Sequence, residues 1–225
     1  MLQRVLFLAL LFSVKVMAQP SEWQLWKQRD GTSVHYKKHE NGIFEVQAEI
    51  AVTGVTANDF MALLSDTDSA PLWIENVTHV QALRRLSPSE TIVHSQFDSP
   101  WPVADRDMVS YSCYRRVNHT QTELMITAVT DFLEKSKGVI RITDLNASWL
   151  LTETSEQGES QLTIRHVVYA DPAGAIPHWL SNKIGLKSAM HTLLALKQRL
   201  LEKTYQPNEQ KIELGDCSQQ SLITR

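Results

Sequence analysis

The stretch PHWLSNKIGLKSAMHTLLALKQRLLEK, residues 177–203, decides how the rest of the chain is read. Ile184, Leu193, Leu194, Leu196, Leu200 and Leu201 form an apolar face, with Lys and Arg on the other side, so the spacing predicts one long helix. About 27 residues in helical conformation span about 40 Å. Upstream, Asp171-Pro172-Ala173-Gly174 breaks the pattern and marks the loop that leads into it.

Working outward from that helix, the sequence is mostly strand-like. Runs at 32–38, 43–52, 77–86, 91–97, 107–117, 122–132, 138–144, 148–154 and 161–170 read as nine strands separated by polar turns. In the second run Phe44, Val46, Ala48, Ile50 and Val52 share one face, and Glu45, Gln47 and Glu49 the other, so one side is buried and one wet. Asn41-Gly42 marks a hairpin. Residues 21–29 read as a short amphipathic helix, with Trp23 and Trp26 at helical spacing and Asp30-Gly31 as its stop. Residues 56–65 read as a helix whose Thr56 and Asp59 resemble a capping box, and 68–76 as a second helical piece. There is no βαβ alternation and no repeat. The expected fold is α+β: a nine-stranded antiparallel sheet, curved around the long C-terminal helix because no other element is long enough to cover its apolar face. A sheet wrapped around a single helix tends to leave an interior space, the usual form of a small-molecule site.

The amino terminus is a separate object. Arg4, an apolar run at 5–14 and Val16-Met17-Ala18 have the layout of a secretory signal, with the cut expected after Ala18 and the mature protein periplasmic or secreted. Loss of residues 1–18 removes Arg4 and Lys15 and no acid, which takes the net charge from −3 to −5. That balance excludes a general nucleic-acid binder. Two cysteines exclude a disulfide-dense scaffold or a Cys-rich zinc module. In an oxidising compartment Cys113 and Cys217 can pair and pin the polar tail at 206–225; otherwise Cys113 is a buried thiol and the tail is loose. The P-loop, Gly-x-Ser-x-Gly, Gly-x-Gly-x-x-Gly and His-Glu-x-x-His patterns are absent, so neither an enzyme nor a metal or cofactor site is expected.

Phe97-Asp98-Ser99-Pro100-Trp101-Pro102-Val103-Ala104-Asp105-Arg106-Asp107-Met108-Val109 resembles the signature of StAR-related lipid-transfer (START) domains, a Pro-rich loop running into an Arg-Asp strand. The segment Asp171-Pro172-Ala173-Gly174-Ala175-Ile176-Pro177-His178-Trp179-Leu180-Ser181-Asn182 resembles that family's entry into its C-terminal helix. The order of elements agrees over 21–205. The resemblance implies a helix-grip fold enclosing one lipid or other hydrophobic small molecule, in a monomer that contacts membranes transiently. Ser112 stands where several members have an Arg that projects into the cavity, so that ionic anchor is missing. Related cavity folds include cyclases and hydrolases, and a ligand sensor is a further alternative; the enzyme reading would need His94, His166 and Asp107 as its acid/base groups.

The candidate ligand-binding residues are Trp73, His94, Arg106, Met108, Ser110, Ser112, Trp149, His166, Trp179 and Ile184. Arg106 can fork onto a polar head group or pair structurally with Asp105, Asp107 or another acid. If it faces the interior, Met108, Ser110 and Ser112 share its side, yet the opposite side, with Val109, Tyr111 and Cys113, is more apolar. His94 shares a face with Ile92 and Gln96, and His166 with Leu162, Ile164 and Val168, so each can bond a ligand hydroxyl or be a satisfied core residue. Arg141 is read as a cavity cation or a solvent-exposed one. Trp101 and Trp179 sit at loop junctions where they can meet membrane or pack locally. Ile184 lies in the segment that the family uses as a gate.

Overall fold

A computed structural model describes residues 22–156, 158–203, 205 and 213–218. The signal expected at 1–18 lies outside the described residues, as does most of the expected tail. In chain order the elements are β1 (Gln24–Arg29), β2 (Thr32–Lys38), β3 (Phe44–Thr53), α1 (Ala57–Ser65), a 3₁₀ turn (Thr67–Leu72), β4 (Val77–Ser87), β5 (Glu90–Phe97), β6 (Arg106–Arg116), β7 (Gln121–Ala128), β8 (Ile140–Ile142), β9 (Asp144–Glu156), β10 (Glu159–Asp171) and α2 (His178–Glu202). Nine strands form one path, β1-β2-β3-β10-β9-β7-β6-β5-β4, and β8 pairs with β6 off that path.

The helix-grip expectation holds, with α2 within one residue of its predicted bounds at each end. The capping box holds too: Asp59 N donates to Thr56 Oγ1 at 3.3 Å, and Thr56 N donates back to Asp59 Oδ2 at 2.8 Å. Four details differ. Residues 24–29 are a strand, not a helix. Asp30 (φ 50) and Gly31 (φ 80) are the two central residues of a tight hairpin turn, with Arg29 paired to Thr32, and β1 continues the sheet beyond β2. Asp-Gly is a preferred two-residue hairpin sequence, and that outweighs the weak Trp23/Trp26 spacing. The pairing of β8 with β6 is parallel, so the sheet is antiparallel elsewhere but mixed at that point. The run at 122–132 leaves the ladder after Ala128, and the piece at 68–76 contains only the 3₁₀ turn.

The main core lies between the concave face of the sheet and the helices. Val46, Ala48, Ile50 and Val52 of β3, Leu151 of β9 and Leu162 and Ile164 of β10 meet Phe60 and Leu63 of α1 and Leu193, Leu196 and Leu200 of α2. Leu201, expected in this face, is exposed. The face of α2 thus follows the 3.6-residue period, and the strands follow period two.

Period two also settles β6. Arg106, Met108, Ser110 and Ser112 share the concave side with Tyr114, which belongs to the main core. Val109, Tyr111 and Cys113 point outward, where with Ile92 and Val129 they form a second apolar cluster covered by Leu83, Leu86, Phe132 and Cys217. Both sides of the strand are buried, which is why composition does not distinguish them.

The segment 213–218 closes that outer cluster. Cys113 and Cys217 form a disulfide across a separation of 104 residues. Gly215 N donates to Tyr114 O at 2.9 Å, and Gly215 forms a parallel bridge with Arg115. This part of the tail is docked, contrary to a loose reading. A cross-link over a loop of that length stabilises chiefly by restricting the unfolded chain. Cys217→Ser is expected to lower the unfolding free energy by about 2–4 kcal/mol in urea titrations, and dithiothreitol should bring the wild-type protein down equally. Equal stability of variant and wild type would mean that the backbone bonds alone hold the segment.

Candidate functional site

The helix α2 changes character along its length. Past Thr192 it presents Leu193, Leu196 and Leu200, all fully buried. Before that point the residues turned toward the sheet include Ser181, Gly185, Ser188 and Thr192, spaced by four, three and four along one stripe. Small side chains there do not reach the sheet. They leave a cavity of about 330 Å³. Its opposite wall consists of Phe44 and Val46 of β3, Ile142 of β8, Trp149 of β9, and His166, Val168 and Ala170 of β10. Ile74, Glu75 and Asn76 border one side, and Phe97–Pro100 with Arg106, Pro172 and Ile176 border the other. The volume is near the lower end of small-molecule sites, which run from about 300 to 1,000 Å³.

Neutral hydrogen bonds hold the helix over this space. Asn182 Nδ2 donates to Gly42 O and its Oδ1 accepts from Phe44 N, both at 3.0 Å. Asn76 Nδ2 donates to Ser188 Oγ at 2.8 Å, and Glu75 N to Thr192 Oγ1 at 3.0 Å. Gly42, at φ +86, is required twice over, because a Cβ there would lie 2.8 Å from His178 Nδ1.

Arg106 is a loop latch. Its side reaches the cavity, but Nε donates to Pro172 O, Nη1 to Ser99 Oγ and Ala104 O, and Nη2 to Ala173 O. No carboxylate lies within ion-pair distance among the described residues. Burial therefore pulls its pKa below the usual guanidinium value, and nearby Asp105 only partly opposes this. The acid pair expected for Arg106 is absent among the described residues; its partners are loop carbonyls and a serine, because the guanidinium is turned to the two loops rather than to Asp105 or Asp107.

His166 lies on the cavity wall. Its ring stacks on Trp149 with centroids 3.8 Å apart and planes 14° apart. Nδ1 is 3.0 Å from Ser148 O. A carbonyl only accepts, so Nδ1 carries the proton and Nε2 of the neutral ring is an acceptor. Nε2 has no hydrogen-bond partner among the described residues. Burial pushes the imidazole pKa down to about 4, the Ser148 bond opposing, so the ring is neutral near pH 7.

The other sequence candidates lie elsewhere. Trp149 and Ile184 line the cavity with Arg106 and His166. Met108, Ser110 and Ser112 face the same way as Arg106 but do not line it, and Ser112 Oγ donates to Thr91 O at 3.1 Å. Trp73 is buried in the main core, and Trp179, 68% exposed, stands outside on the first turn of α2. His94 is on the opposite side of the sheet, 3.0 Å from Asp107 Oδ2. Arg141 is neither a cavity cation nor exposed: it grips Asp107 with two bonds of 2.7 Å and donates to Leu133 O and Glu134 O. Burial alone would raise the Asp107 pKa, but hydrogen bonds from Arg141 and then His94 hold it below the ordinary carboxylate value. The small stripe of α2, with Asn182 and Asn76, is what sequence reasoning missed. Its signal was the run of Ser and Gly at helical spacing within an otherwise Leu-rich helix.

Residues 9–204 match the START domain family model. The chain is 26% identical over 204 residues to an uncharacterized protein of Pseudomonas aeruginosa, covering 87% of this chain and 95% of that one. It is 20% identical over 163 residues to human START domain-containing protein 10, covering 72% of this chain and 55% of the human protein. Among solved structures it is similar to a STAR-related lipid transfer protein fragment from Xanthomonas axonopodis (TM-score 0.70, 27% identity, 80% of this chain and 98% of that one). It also shares its fold with human STARD10 (TM-score 0.66, 19% identity, 80% and 73%).

Removing the Arg106 guanidinium would strand acceptors in both loops it joins. Arg106→Met is expected to cost about 1.5–3 kcal/mol, the range for hydrogen bonds to a charged group. Amide exchange should accelerate in 98–105 and 171–174 while the Leu193–Leu200 half of α2 stays protected. Uniform acceleration across the sheet would show that Arg106 supports the whole fold rather than the two loops.

Proposed function

The chain belongs to the START domain family, a membership that supports lipid binding or transfer in general, and from it we propose an exported carrier that shields one hydrophobic molecule in the cavity beneath α2. The observation that carries this reading is the cavity itself, walled mostly by apolar side chains and bounded by the small stripe of the helix. Burying lipid chains is worth about 0.8 kcal/mol per CH₂, so a modest apolar ligand is held without an ionic anchor. That agrees with a cavity whose one cation is already bonded to loop carbonyls.

Loading goes through the N-terminal half of α2 and the loops beside it. The first turns, up to Gly185, are fixed mainly by neutral hydrogen bonds, each worth about 0.5–1.5 kcal/mol net, whereas from Leu186 onward Leu186, Ala189, Met190, Leu193, Leu196 and Leu200 anchor the helix in the core. Trp101, 92% exposed beside Pro100, and Trp179 close to Ile176 place large amphipathic rings on two segments that border the cavity. Rings of this kind suit a membrane interface, and a net charge of −5 disfavours attachment by electrostatics alone. The protein acts as a monomer in this reading. A cyclase- or hydrolase-like activity would draw on His94, Asp107 and His166, and the first two are sealed on the opposite side of the sheet.

Export draws support from the signal-like layout of residues 1–18 and from the Cys113–Cys217 disulfide, since such bonds persist in oxidising compartments. Amino-terminal sequencing of protein recovered outside the cytoplasm should begin at Gln19; recovery of an intact Met1 form would overturn the cleavable signal.

Gly185 offers a direct test of the carrier reading, because a Cβ added there meets nothing within 4 Å. Leu at that site should fill part of the cavity and raise helix propensity by roughly 0.8–1 kcal/mol. Mass spectrometry of organic extracts should find a co-purifying hydrophobic molecule in the wild type and little in Gly185→Leu, with a melting temperature at or above wild type. Equal lipid content in the two proteins would refute the cavity as the binding site.

A further inference from the structure

The row His166, Val168, Ala170, Pro172 runs along β10 from the closed end of the cavity to the loop latched by Arg106. Six residues of strand cover about 20 Å. His166 is at the closed end, since it stacks on Trp149, which in turn packs on Phe60 of the main core. Along the row between the two polar residues the wall is apolar.

Building on the carrier reading above, we propose that the cavity selects a ligand whose buried end carries a hydrogen-bond donor, a hydroxyl or an amide N–H, received by His166 Nε2. Three features fix this chemistry. Ser148 O takes the Nδ1 proton, so Nε2 offers a lone pair and no hydrogen. The stack on Trp149 fixes the plane of the ring, and so the direction of that lone pair. Nothing among the described residues satisfies it, and His166 lines the cavity beside apolar Val168 and Ala170, so a ligand that brings a donor replaces the water bond that an apolar ligand would only remove. A terminal methyl, an ether or a carboxylate would leave the acceptor without a partner, and the carboxylate would also be desolvated beside it. Arg106 does not compensate, because its donors are already bonded to Pro172, Ala173, Ala104 and Ser99.

The test compares two probes of nearly equal shape and apolar surface, 1-hexadecanol and hexadecyl methyl ether, each displacing a fluorescent fatty-chain probe from the delipidated, disulfide-bonded mature protein. Wild type should bind the alcohol roughly five- to tenfold more tightly, as one net hydrogen bond allows. His166→Phe keeps a ring against Trp149 and removes the acceptor, so it should bind both probes equally and at the level of the ether. His166→Gln, whose amide oxygen can accept, should recover part of the preference. Equal binding of the two probes by wild type, or a preference that survives in His166→Phe, overturns the inference while leaving the carrier reading intact. Binding of neither probe overturns the carrier reading and this inference together.

Discussion

The long helix α2, with only the short α1 to help it, has to cover the concave side of a ten-stranded sheet, and much else follows from how it does so. Its Leu193, Leu196 and Leu200 half reaches the strands and makes a solid core with β3, β9, β10 and α1. The stripe of Ser181, Gly185, Ser188 and Thr192 beside it is too short to fill the space to the strands, although Leu186, Ala189 and Met190 on the adjacent face join the core. A close-packed interior tolerates few voids larger than a water molecule. The recess of about 330 Å³ beside this stripe is partly open to solvent, and its mostly apolar walls have a thermodynamic consequence. Apolar walls facing water are unfavourable, and an apolar occupant relieves that by mass action, stabilising the fold it enters.

The sheet has to be rigid for this to work, and its rigidity at the β5–β6 side comes from the outer face. There the Asp107 carboxylate is held by Arg141 and His94, and Arg141 ties down the segment after β7 through Leu133 O and Glu134 O. The 213–218 segment and its disulfide cover the second apolar cluster next to it. Breaking one member of such a buried pair leaves an uncompensated charge, so this cluster fixes geometry more than it adds stability. Two of the three acid/base candidates in the sequence, His94 and Asp107, are thus committed to architecture on the side away from the cavity.

The legible parts of the sequence were those where one local rule decides. The period of α2, the Thr56/Asp59 box and the alternation along β3 each specify a single answer. Strand β1 was misread because two rules competed: Trp23 and Trp26 satisfy a helical spacing, while Asp30-Gly31 supplies both positive-φ positions of a hairpin turn. The faces of β6 were illegible for a different reason. Alternation assigns sides only when one of them is wet, and here both are buried, one toward the main core and one under Leu83, Leu86, Phe132 and a tail segment about a hundred residues downstream. Whether His94 faces the ligand or Asp107 depends on that same long-range packing, which no local pattern contains.

The two polar residues on the cavity wall show why residue type alone ranks a site wrongly. Arg106 carries a full charge and sits in the family signature, so the sequence promotes it as the anchor. Its donors are directed to Pro172, Ser99, Ala104 and Ala173, and removing them from those carbonyls to serve a ligand would release the loops that frame the cavity. His166 is neutral, lies in a run of β-branched and aliphatic residues, and resembles an ordinary core histidine. One of its nitrogens is satisfied by Ser148 and the other is not. A group without a protein partner can serve a ligand by exchanging only water, whereas Arg106 would first have to give up the loops.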